Sequence, residues 1–455
     1  MSGTSTSTGT RRAQALLDAG LCGLLGLIVF FIGFGRSPLD LRLPLGFGDL
    51  TYYYGVMNAP GLRGEVAPHL GYPFGLDTAY FPDSAWIQIL GARAITWLTS
   101  TVFFGVNAVY VLSFAVAAIA AWLACRLASV PRVLSILIAV AYTAIPTHWF
   151  RIDHAWLATM YSLPVALAIA LIVLTGRLDQ GQSSGILSRR EWTLACMLLC
   201  VVLALSGLYY TFYGLLLIAL AVVFRFSKAP SHRAWLLNLI PLVVVGIGTL
   251  LAMAPGIGVR LTTDVEAGYQ RPIYDAVLYA GQFVDAILPT TVSMMPVFSR
   301  LANPMIAINE WATQANSFGV RWTADQGTTL ILIAAVALLL WLAAWGGGRR
   351  VAHDARLAPA DRRGARQARM TLVFLAVSAA LTALWFVPFG LGTYFSMAVT
   401  LNFRGWDRMI ALFQLLLLVS LGLIIHLALL RVGQARRRMV LIAVVALASV
   451  TVLLD

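Results

Sequence analysis

The sequence has few charged residues for its length. Only 11% of its 455 residues are Asp, Glu, Lys or Arg, whereas 60% are hydrophobic. Soluble domains carry roughly 25% charged residues, so a water-soluble fold is excluded. Apolar runs of about 20 residues, long enough to cross the hydrocarbon core of a bilayer, take up most of the chain. The composition therefore predicts an all-α, polytopic transmembrane helical bundle.

Cysteine is also scarce, and this excludes two further classes of protein. The four cysteines, Cys22, Cys125, Cys196 and Cys200, all fall inside apolar segments. They indicate neither a disulfide framework nor a tetrahedral metal site. The net charge of +13 comes from short basic clusters between apolar runs, and no basic groove with interleaved aromatic residues is present, so we expect no nucleic-acid partner.

Hydropathy predicts about eleven spans, within a range of about 10–13, because one segment is ambiguous. That segment, Ser84 to Ser100, carries Gln88 and Arg93 among apolar residues and predicts an interfacial amphipathic helix, with a twelfth span as the alternative. The chain ends at Asp455 directly after an apolar run, as is typical of a minimal or truncated C-terminus. The predicted spans are 14–34, 101–125, 133–149, 156–176, 192–206, 208–224, 234–254, 328–345, 370–390, 409–430 and 439–454.

The distribution of charge predicts the orientation of the chain. Lys and Arg stay in cytoplasmic loops, and most of the 32 basic residues fall in alternate loops when the N-terminus is cytoplasmic. Most of the 19 acidic residues then lie on the opposite face. We predict a disordered cytoplasmic tail over 1–12, followed by a single transmembrane domain over 13–455. Its long outer loops are 35–100, 255–327 and 391–408, and function is expected there.

The first outer loop combines carboxylates with aromatic residues. Its motifs are Asp49-Leu-Thr-Tyr52-Tyr-Tyr54, Pro-Phe-Gly-Leu-Asp77 and Phe-Pro-Asp83. A carboxylate that is partly desolvated by Tyr and Phe can act as a general base for an acceptor hydroxyl. Two converging carboxylates, Asp49 and Asp83, can also bind Mg²⁺ or Mn²⁺ against a phosphate. The structural alternative is that Asp49 and Asp83 cap helices that begin at the next residue.

Two further turns on the predicted outer face carry candidate ligands. The segment from Pro146 to Trp156 holds His148, Arg151 and His154, and it favours hydrogen bonding to a phosphate or a sugar over a zinc site, because the H-x-x-x-H spacing is absent. The hinge between two spans presents Tyr209 and Tyr210, whose rings suit stacking on a sugar. An interfacial aromatic belt explains both segments equally well.

Arginines precede the tenth span on the outer face, against the inside-positive rule. The sequence there is Arg404-Gly-Trp-Asp407-Arg408. Guanidinium groups suit bidentate binding of a phosphate or diphosphate, so we predict that Arg404 and Arg408 hold a lipid phosphate, with Asp407 and the more distant Arg271 as further candidates. The alternative is a surface Arg–Asp pair that contributes little.

The order of these features resembles the C-type (GT-C) integral-membrane glycosyltransferases, which use polyprenyl-phosphate sugars. The spacing Asp49-x-x-Tyr52-x-Tyr54 is similar to the first acidic motif of oligosaccharyltransferase catalytic subunits. The Pro-Phe-Gly-Leu-Asp77, Phe-Pro-Asp83, Gly-Leu-Tyr209-Tyr210 and Arg404–Arg408 motifs resemble bacterial membrane proteins described as glycosyltransferase-like. The acceptor is left open by this resemblance.

The resemblance implies a transferase of the bacterial plasma (inner) membrane whose active face is extracytoplasmic. A polyprenyl-phosphate sugar would be the donor, an extracytoplasmic glycan, lipid or protein the acceptor, and polysaccharide biosynthesis for the cell envelope the setting. Asp49 would be the base, and configuration would invert. A flippase or transporter of lipid-linked glycans, or a non-catalytic subunit of polysaccharide assembly, is the alternative, although few charged residues fall in the middle of spans.

Overall fold

The computed structural model is almost entirely helical. It describes residues 8–34, 40–46, 49–58, 66–67, 76–77, 84–178, 188–226, 231–262, 275–287, 327–347, 359–400, 403, 405–430, 439, 441–444, 446 and 451. The strands within these ranges, β1 (Val66–Ala67) and β2 (Leu76–Asp77), pair antiparallel with Val66 opposite Asp77. This two-residue ladder is the one departure from the predicted all-α class in the described part of the chain.

The chain divides into two compact units. Unit 1 comprises Met1–Leu123 and Arg151–Gly268, and unit 2 comprises Ala124–Phe150 and Tyr269–Asp455. In chain order the helices are α1 Thr8–Phe34, α2 Asp49–Asn58, α3 Trp86–Thr99, α4 Val102–Leu127, α5 Arg132–Thr143, α6 Pro146–Phe150, α7 Ala155–Ala158, α8 Ser162–Leu174, α9 Arg189–Ala204, α10 Leu208–Phe226, α11 His232–Thr262, α12 Asp275–Leu278, α13 Phe283–Ile287, α14 Thr329–Gly347, α15 Pro359–Phe386, α16 Leu391–Ala398 and α17 Ile410–Leu429. Two 3₁₀ turns, Ile152–His154 and Trp406–Met409, precede α7 and α17.

Six helices of the described residues are long and apolar enough to cross a membrane. They are Arg12–Phe34, Val102–Leu127, Leu208–Phe226, Ala234–Gly258, Gly364–Phe386 and Trp406–Leu429. Three shorter apolar helices, Arg132–Thr143, Ser162–Leu174 and Thr329–Ala344, overlap three more of the predicted spans. Helix α1 starts at Thr8, so its first turn lies within the segment 1–12 that the sequence predicts as a tail.

The polarity of α11 is the reverse of that of a helix in a soluble protein. Its exposed side carries large apolar residues at helical spacing: Leu236, Ile240, Val243, Ile247, Leu250 and Leu251. Its buried side carries Ala234, Asn238, Val245 and Thr249. Small and polar residues between helices with aliphatic residues outside are typical of helices that face lipid. The fold therefore supports the membrane assignment independently of composition.

Helix α3, in the ambiguous segment 84–100, also buries a polar side chain and exposes large apolar ones. Gln88 is 1% exposed, whereas Trp97 is 82% exposed and Leu98 is 73% exposed. The 14 residues of α3 are about 21 Å long at 1.5 Å per residue, which is shorter than the roughly 30 Å hydrocarbon core. The segment is thus helical, and its N-cap residue is Ala85 rather than Asp83; whether this short helix lies at the interface or crosses the membrane stays a prediction.

Close helix packing in unit 1 depends on small residues. A Cβ atom on Gly26 of α1 would lie 2.5 Å from the backbone oxygen of Phe114 in α4. One on Gly214 of α10 would lie 2.9 Å from the Cβ atom of Ala166 in α8. These glycines allow helix backbones to approach closely, as is common in membrane bundles.

Contacts between helix ends in unit 1 agree with the predicted sidedness. At one end, Arg12 forms a 2.8 Å ion pair with Glu191, and the sequence predicts that both residues are cytoplasmic. At the other end, the indole of Trp86 donates to the backbone oxygen of Ala252 at 2.8 Å; the sequence predicts that Trp86 lies in an outer loop and that Ala252 lies at the outer end of the span 234–254. The contacts fix which ends lie together; which end faces the cytoplasm stays a prediction.

Candidate functional site

Helix α2 carries the predicted base at its first residue. Leu50 and Tyr54, one turn apart, are buried and share one face of the helix. That face packs in a cluster with Ile89 of α3, Val106 of α4 and Trp156 of α7. The side chains of Asp49 and Tyr52 are not among those that the structure describes. The backbone of Asp49 is nevertheless held by the apolar anchorage of its helix.

Tyr54 is an anchor of this helix in the structure. Its hydroxyl donates to Asn107 Oδ1 at 2.7 Å and accepts from the backbone N–H of Leu45 at 3.3 Å. The Asn107 amide nitrogen donates in turn to the backbone oxygens of Leu41 and Leu43. Burial raises the pKa of the Tyr54 phenol. The predicted role in substrate binding therefore competes with a structural role that already uses this hydroxyl.

The structural role of Tyr54 predicts a loss of stability in Tyr54→Phe. The substitution keeps the ring but removes the hydroxyl, so Asn107 Oδ1 loses its donor and the N–H of Leu45 loses its acceptor. We expect the free energy of unfolding to fall by about 1–2 kcal/mol, measured by thermal unfolding in detergent. Tyr394, which is 63% exposed, is the matched control. Equal changes in Tyr54→Phe and Tyr394→Phe would contradict the anchoring role.

Helix α2 lies against the turn that contains Arg151 and His154. The ring of Tyr53 meets that of Trp156 edge to face, with centroids 5.0 Å apart, and Ile152 packs on the same cluster. Arg151 and His154 are both partly exposed. Two motifs that are about 100 residues apart in the sequence are thereby neighbours within unit 1.

His148 has a different environment from the other residues of its motif. It lies in unit 2 and is fully buried, with Nδ1 3.1 Å from the backbone oxygen of Thr143. A carbonyl oxygen only accepts, so Nδ1 carries the proton and donates. The ring of His148 is thus enclosed by protein and bonded to the end of α5. Its burial does not favour the predicted contact with a phosphate or a sugar.

The hinge between α9 and α10 places its two tyrosines differently. Gly207 adopts φ 110°, a conformation that glycine alone adopts without strain. Tyr210 is buried, and its hydroxyl donates to the backbone oxygen of Leu157 at 2.6 Å. Tyr209 is half-buried and lies beside Tyr213 at a centroid distance of 6.4 Å. Tyr210 thus joins the hinge to α7, and Tyr209 is the better candidate for stacking on a sugar.

The arginine motif in unit 2 is built around a buried tryptophan. Trp406 is 0% exposed, and its indole N–H donates to Ser396 Oγ at 2.8 Å. The rings of Trp385, Phe395 and Phe403 lie with centroids 5.0–5.8 Å from that of Trp406. The motif is therefore rigidly held by an aromatic core, which sequence inspection did not indicate.

The charged residues of this motif flank the aromatic core. Asp407 is buried, and its backbone N–H donates to the backbone oxygen of Tyr279 at 3.2 Å. Arg408 is half-buried, and its guanidinium lies close to Gly405: a Cβ atom on Gly405 would be 2.7 Å from Arg408 Nε. The position of Asp407 does not match the predicted exposed Arg–Asp pair. Arg404 falls outside the described residues.

Several predicted site residues lie outside the described part of the chain. These are Asp83, Arg271 and the side chain of Asp77. Within the described residues, no group of three or more His, Cys, Asp or Glu side chains is arranged to hold a metal ion. Mg²⁺ or Mn²⁺ at Asp49 and Asp83 stays a prediction, because neither of these carboxylates is described.

Three residues that organise unit 1, Gln88, Asn107 and Trp156, were not among the predicted site residues, although Gln88 was noted as a polar residue in an apolar segment. Gln88 and Asn107 are each 1% exposed, although both lie in largely apolar helices. A polar side chain inside an apolar run is expensive in lipid and marks a specific contact. That signal was present in the sequence, but the identity of the partners was not.

Comparisons with known proteins add no assignment. No protein-family model matches the chain, and no curated protein gives a significant match.

Proposed function

We propose that this protein is a membrane glycosyltransferase of the C type that transfers a sugar from a polyprenyl-phosphate donor. The observation that carries the proposal is the packing of α2, which begins at Asp49, against the turn that contains Arg151 and His154. The backbone of the helix that begins at Asp49 and the partly exposed side chains of Arg151 and His154 thereby come from distant parts of the sequence to neighbouring positions in unit 1.

In the proposed reaction Asp49 accepts the proton of an acceptor hydroxyl. The acceptor oxygen forms a bond to the anomeric carbon of the sugar as the bond from that carbon to the phosphate oxygen breaks. The leaving lipid phosphate takes the bonding electron pair, and guanidinium groups bind its negative charge, which is the role that the sequence predicts for Arg404 and Arg408. Attack opposite to the leaving group inverts the configuration. Arg151, His154 and Tyr209 bind the sugar or its phosphate.

The proposed topology has eleven spans, a cytoplasmic N-terminus and a site on the extracytoplasmic face of a bacterial plasma membrane. Helices α5 and α6 together cover one predicted span, 133–149, and are interrupted before Pro146, which cannot donate a helical hydrogen bond. Helix α9, with 16 residues, overlaps another, 192–206. These short elements support a count above six.

The distribution of buried charge favours an enzyme over a transporter. Among the described residues, the buried charged side chains of the six long helices are Asp18, Arg225 and Asp407, each within about two turns of an end of its span. A transport pathway would require charged or strongly polar groups near the middle of the membrane. Chemistry at one membrane face requires none.

The test is transfer by the purified protein in proteoliposomes. Radiolabelled polyprenyl-phosphate hexoses and pentoses are supplied with a mixture of extracytoplasmic glycan and lipid acceptors. The proposal expects loss of label from at least one donor and its appearance in an acceptor. Retention of label on every donor would contradict the proposal and favour the non-catalytic alternatives.

A further inference from the structure

A buried glutamine joins three segments of unit 1. Gln88 of α3 is 1% exposed, and its amide nitrogen donates to Thr159 Oγ1 and to the backbone oxygen of Ser206, each at 3.0 Å. Thr159 lies between α7 and α8, and Ser206 lies at the hinge between α9 and α10. One side chain thus holds together α3, the turn region and the hinge.

The network itself fixes the orientation of the Gln88 amide. Thr159 donates its hydroxyl proton to the backbone oxygen of Trp156 at 2.6 Å, so its oxygen can only accept from Gln88. The backbone oxygen of Ser206 can also only accept. Both contacts therefore require the N–H₂ end of the amide. Gln88 Oε1 is buried and has no hydrogen-bond partner among the described residues.

The chain of contacts from Gln88 reaches the helix of the proposed base. Thr159 is bonded to Trp156, and the Trp156 ring lies against Tyr53 of α2. In the other direction, Ser206 precedes Gly207 and Tyr209. The Ser206 hydroxyl donates to the backbone oxygen of Val202 and lies 3.3 Å from the hydroxyl of Tyr161, from which it can accept. Gln88 is bonded to both arms of this network from α3, and Tyr210 adds a direct bond from the hinge to Leu157 of α7.

We propose that Gln88 is a positioning residue that sets the distance between α2, with Asp49, and the hinge, with Tyr209. The assignment of a role in transfer rests on the proposed function, whereas the mechanical coupling does not. Both N–H donors are needed, because each holds a different segment. A buried amide suits this role since it supplies two donors without a charge that lipid or apolar packing would oppose.

The first test measures backbone amide exchange in nanodiscs and needs no activity. Gln88→Met keeps the length of the side chain and removes both donors. We expect exchange about tenfold faster in residues 49–58, 155–161 and 205–211, from the loss of two buried hydrogen bonds. The expected exchange in 189–195, at the other end of unit 1, is unchanged. Faster exchange throughout unit 1, or in none of these segments, would overturn the positioning role.

Gln414 offers a matched control in unit 2. It is 0% exposed, and its amide donates to the backbone oxygen of Ala286 at 3.1 Å. Gln414→Met removes a buried amide of the same type and is expected to increase exchange around 283–287, with no change in 49–58 or 205–211. An effect of Gln414→Met on α2 equal to that of Gln88→Met would refute specific coupling through Gln88.

The second test uses Gln88→Glu and the pH profile of transfer. In this variant a protonated carboxyl group would donate one hydrogen bond, and an ionised one would donate none. Burial raises the pKa of a carboxyl group. We expect kcat to fall about 10- to 100-fold with little change in KM, as misplaced catalytic groups do, and to recover partly at lower pH relative to the wild type. A kcat ratio that is independent of pH would contradict the donor role; absence of transfer in the wild type would reject the proposed function alone.

Discussion

Asp49→Asn is expected to lower the rate of sugar transfer by about 10²- to 10⁴-fold, the usual contribution of a general base. The Asn amide keeps the size of the side chain, but it cannot take up the proton of the hydroxyl group that attacks the sugar. Because helix α2 is held by Leu50 and Tyr54, we expect the fold to be unaffected. The rate is measured with the radiolabelled donor that the wild type uses, and the melting temperature is measured in parallel.

Asp40 provides the matched control for this variant. It lies in the same outer loop, is exposed, and accepts a local hydrogen bond from the backbone N–H of Arg42 at 2.9 Å. Asp40→Asn removes the same charge and is expected to keep transfer within about twofold, because exposed charges have small effects. Full transfer by Asp49→Asn would remove Asp49 from the role of base. An equal loss in both variants would indicate loop electrostatics instead.

Trp406→Ala is expected to destabilise unit 2 by about 3–5 kcal/mol, as is typical of truncating a buried aromatic side chain. The indole is fully buried among three aromatic rings and is hydrogen-bonded to Ser396. Its removal would leave a cavity, and the Ser396 hydroxyl would lose the hydrogen bond that it accepts from the indole. The measurement is thermal unfolding in detergent, followed by intrinsic fluorescence and corrected for the lost tryptophan.

The control for this substitution is Trp97→Ala, at a side chain that is 82% exposed. We expect a change of less than about 1 kcal/mol there, because little packing is lost. If the two variants unfold at the same temperature, the aromatic core around Trp406 does not stabilise the fold. If Trp406→Ala is destabilised as expected, then loss of transfer in this variant reflects structure, and Arg408→Gln is the variant that tests phosphate binding.

Helix positions were predictable from the sequence, because apolar runs and charge clusters are local signals. The predicted runs 101–125, 208–224 and 409–430 each lie within about two residues of an observed helix or its preceding 3₁₀ turn. The interruption before Pro146 was less apparent, since hydropathy does not register the lost hydrogen bond. The division into two units depends on contacts between distant segments, which periodicity does not encode.

The candidate site was predictable only in part. Asp49, Arg151 and His154 were singled out by residue type, and α2 does lie beside the turn of Arg151 and His154. Burial was not predictable: an interfacial aromatic belt and an aromatic core use the same residues, so the roles of Trp406 and Tyr210 emerged only from packing. His148 looked identical in kind to His154 until its burial was known.

The central claim is that the helix beginning at Asp49 lies on the extracytoplasmic face, where a lipid-linked donor would be used. Charge distribution predicts this side for α2 and the cytoplasmic side for the start of α9. The most direct test is labelling of intact bacterial cells with a membrane-impermeant maleimide. The labelled positions are Thr51→Cys and, as the control, Arg190→Cys, both exposed, in a chain whose four native cysteines are replaced by alanine. We predict that Thr51→Cys reacts in intact cells and that Arg190→Cys reacts only after permeabilisation; the reverse pattern would contradict an extracytoplasmic site.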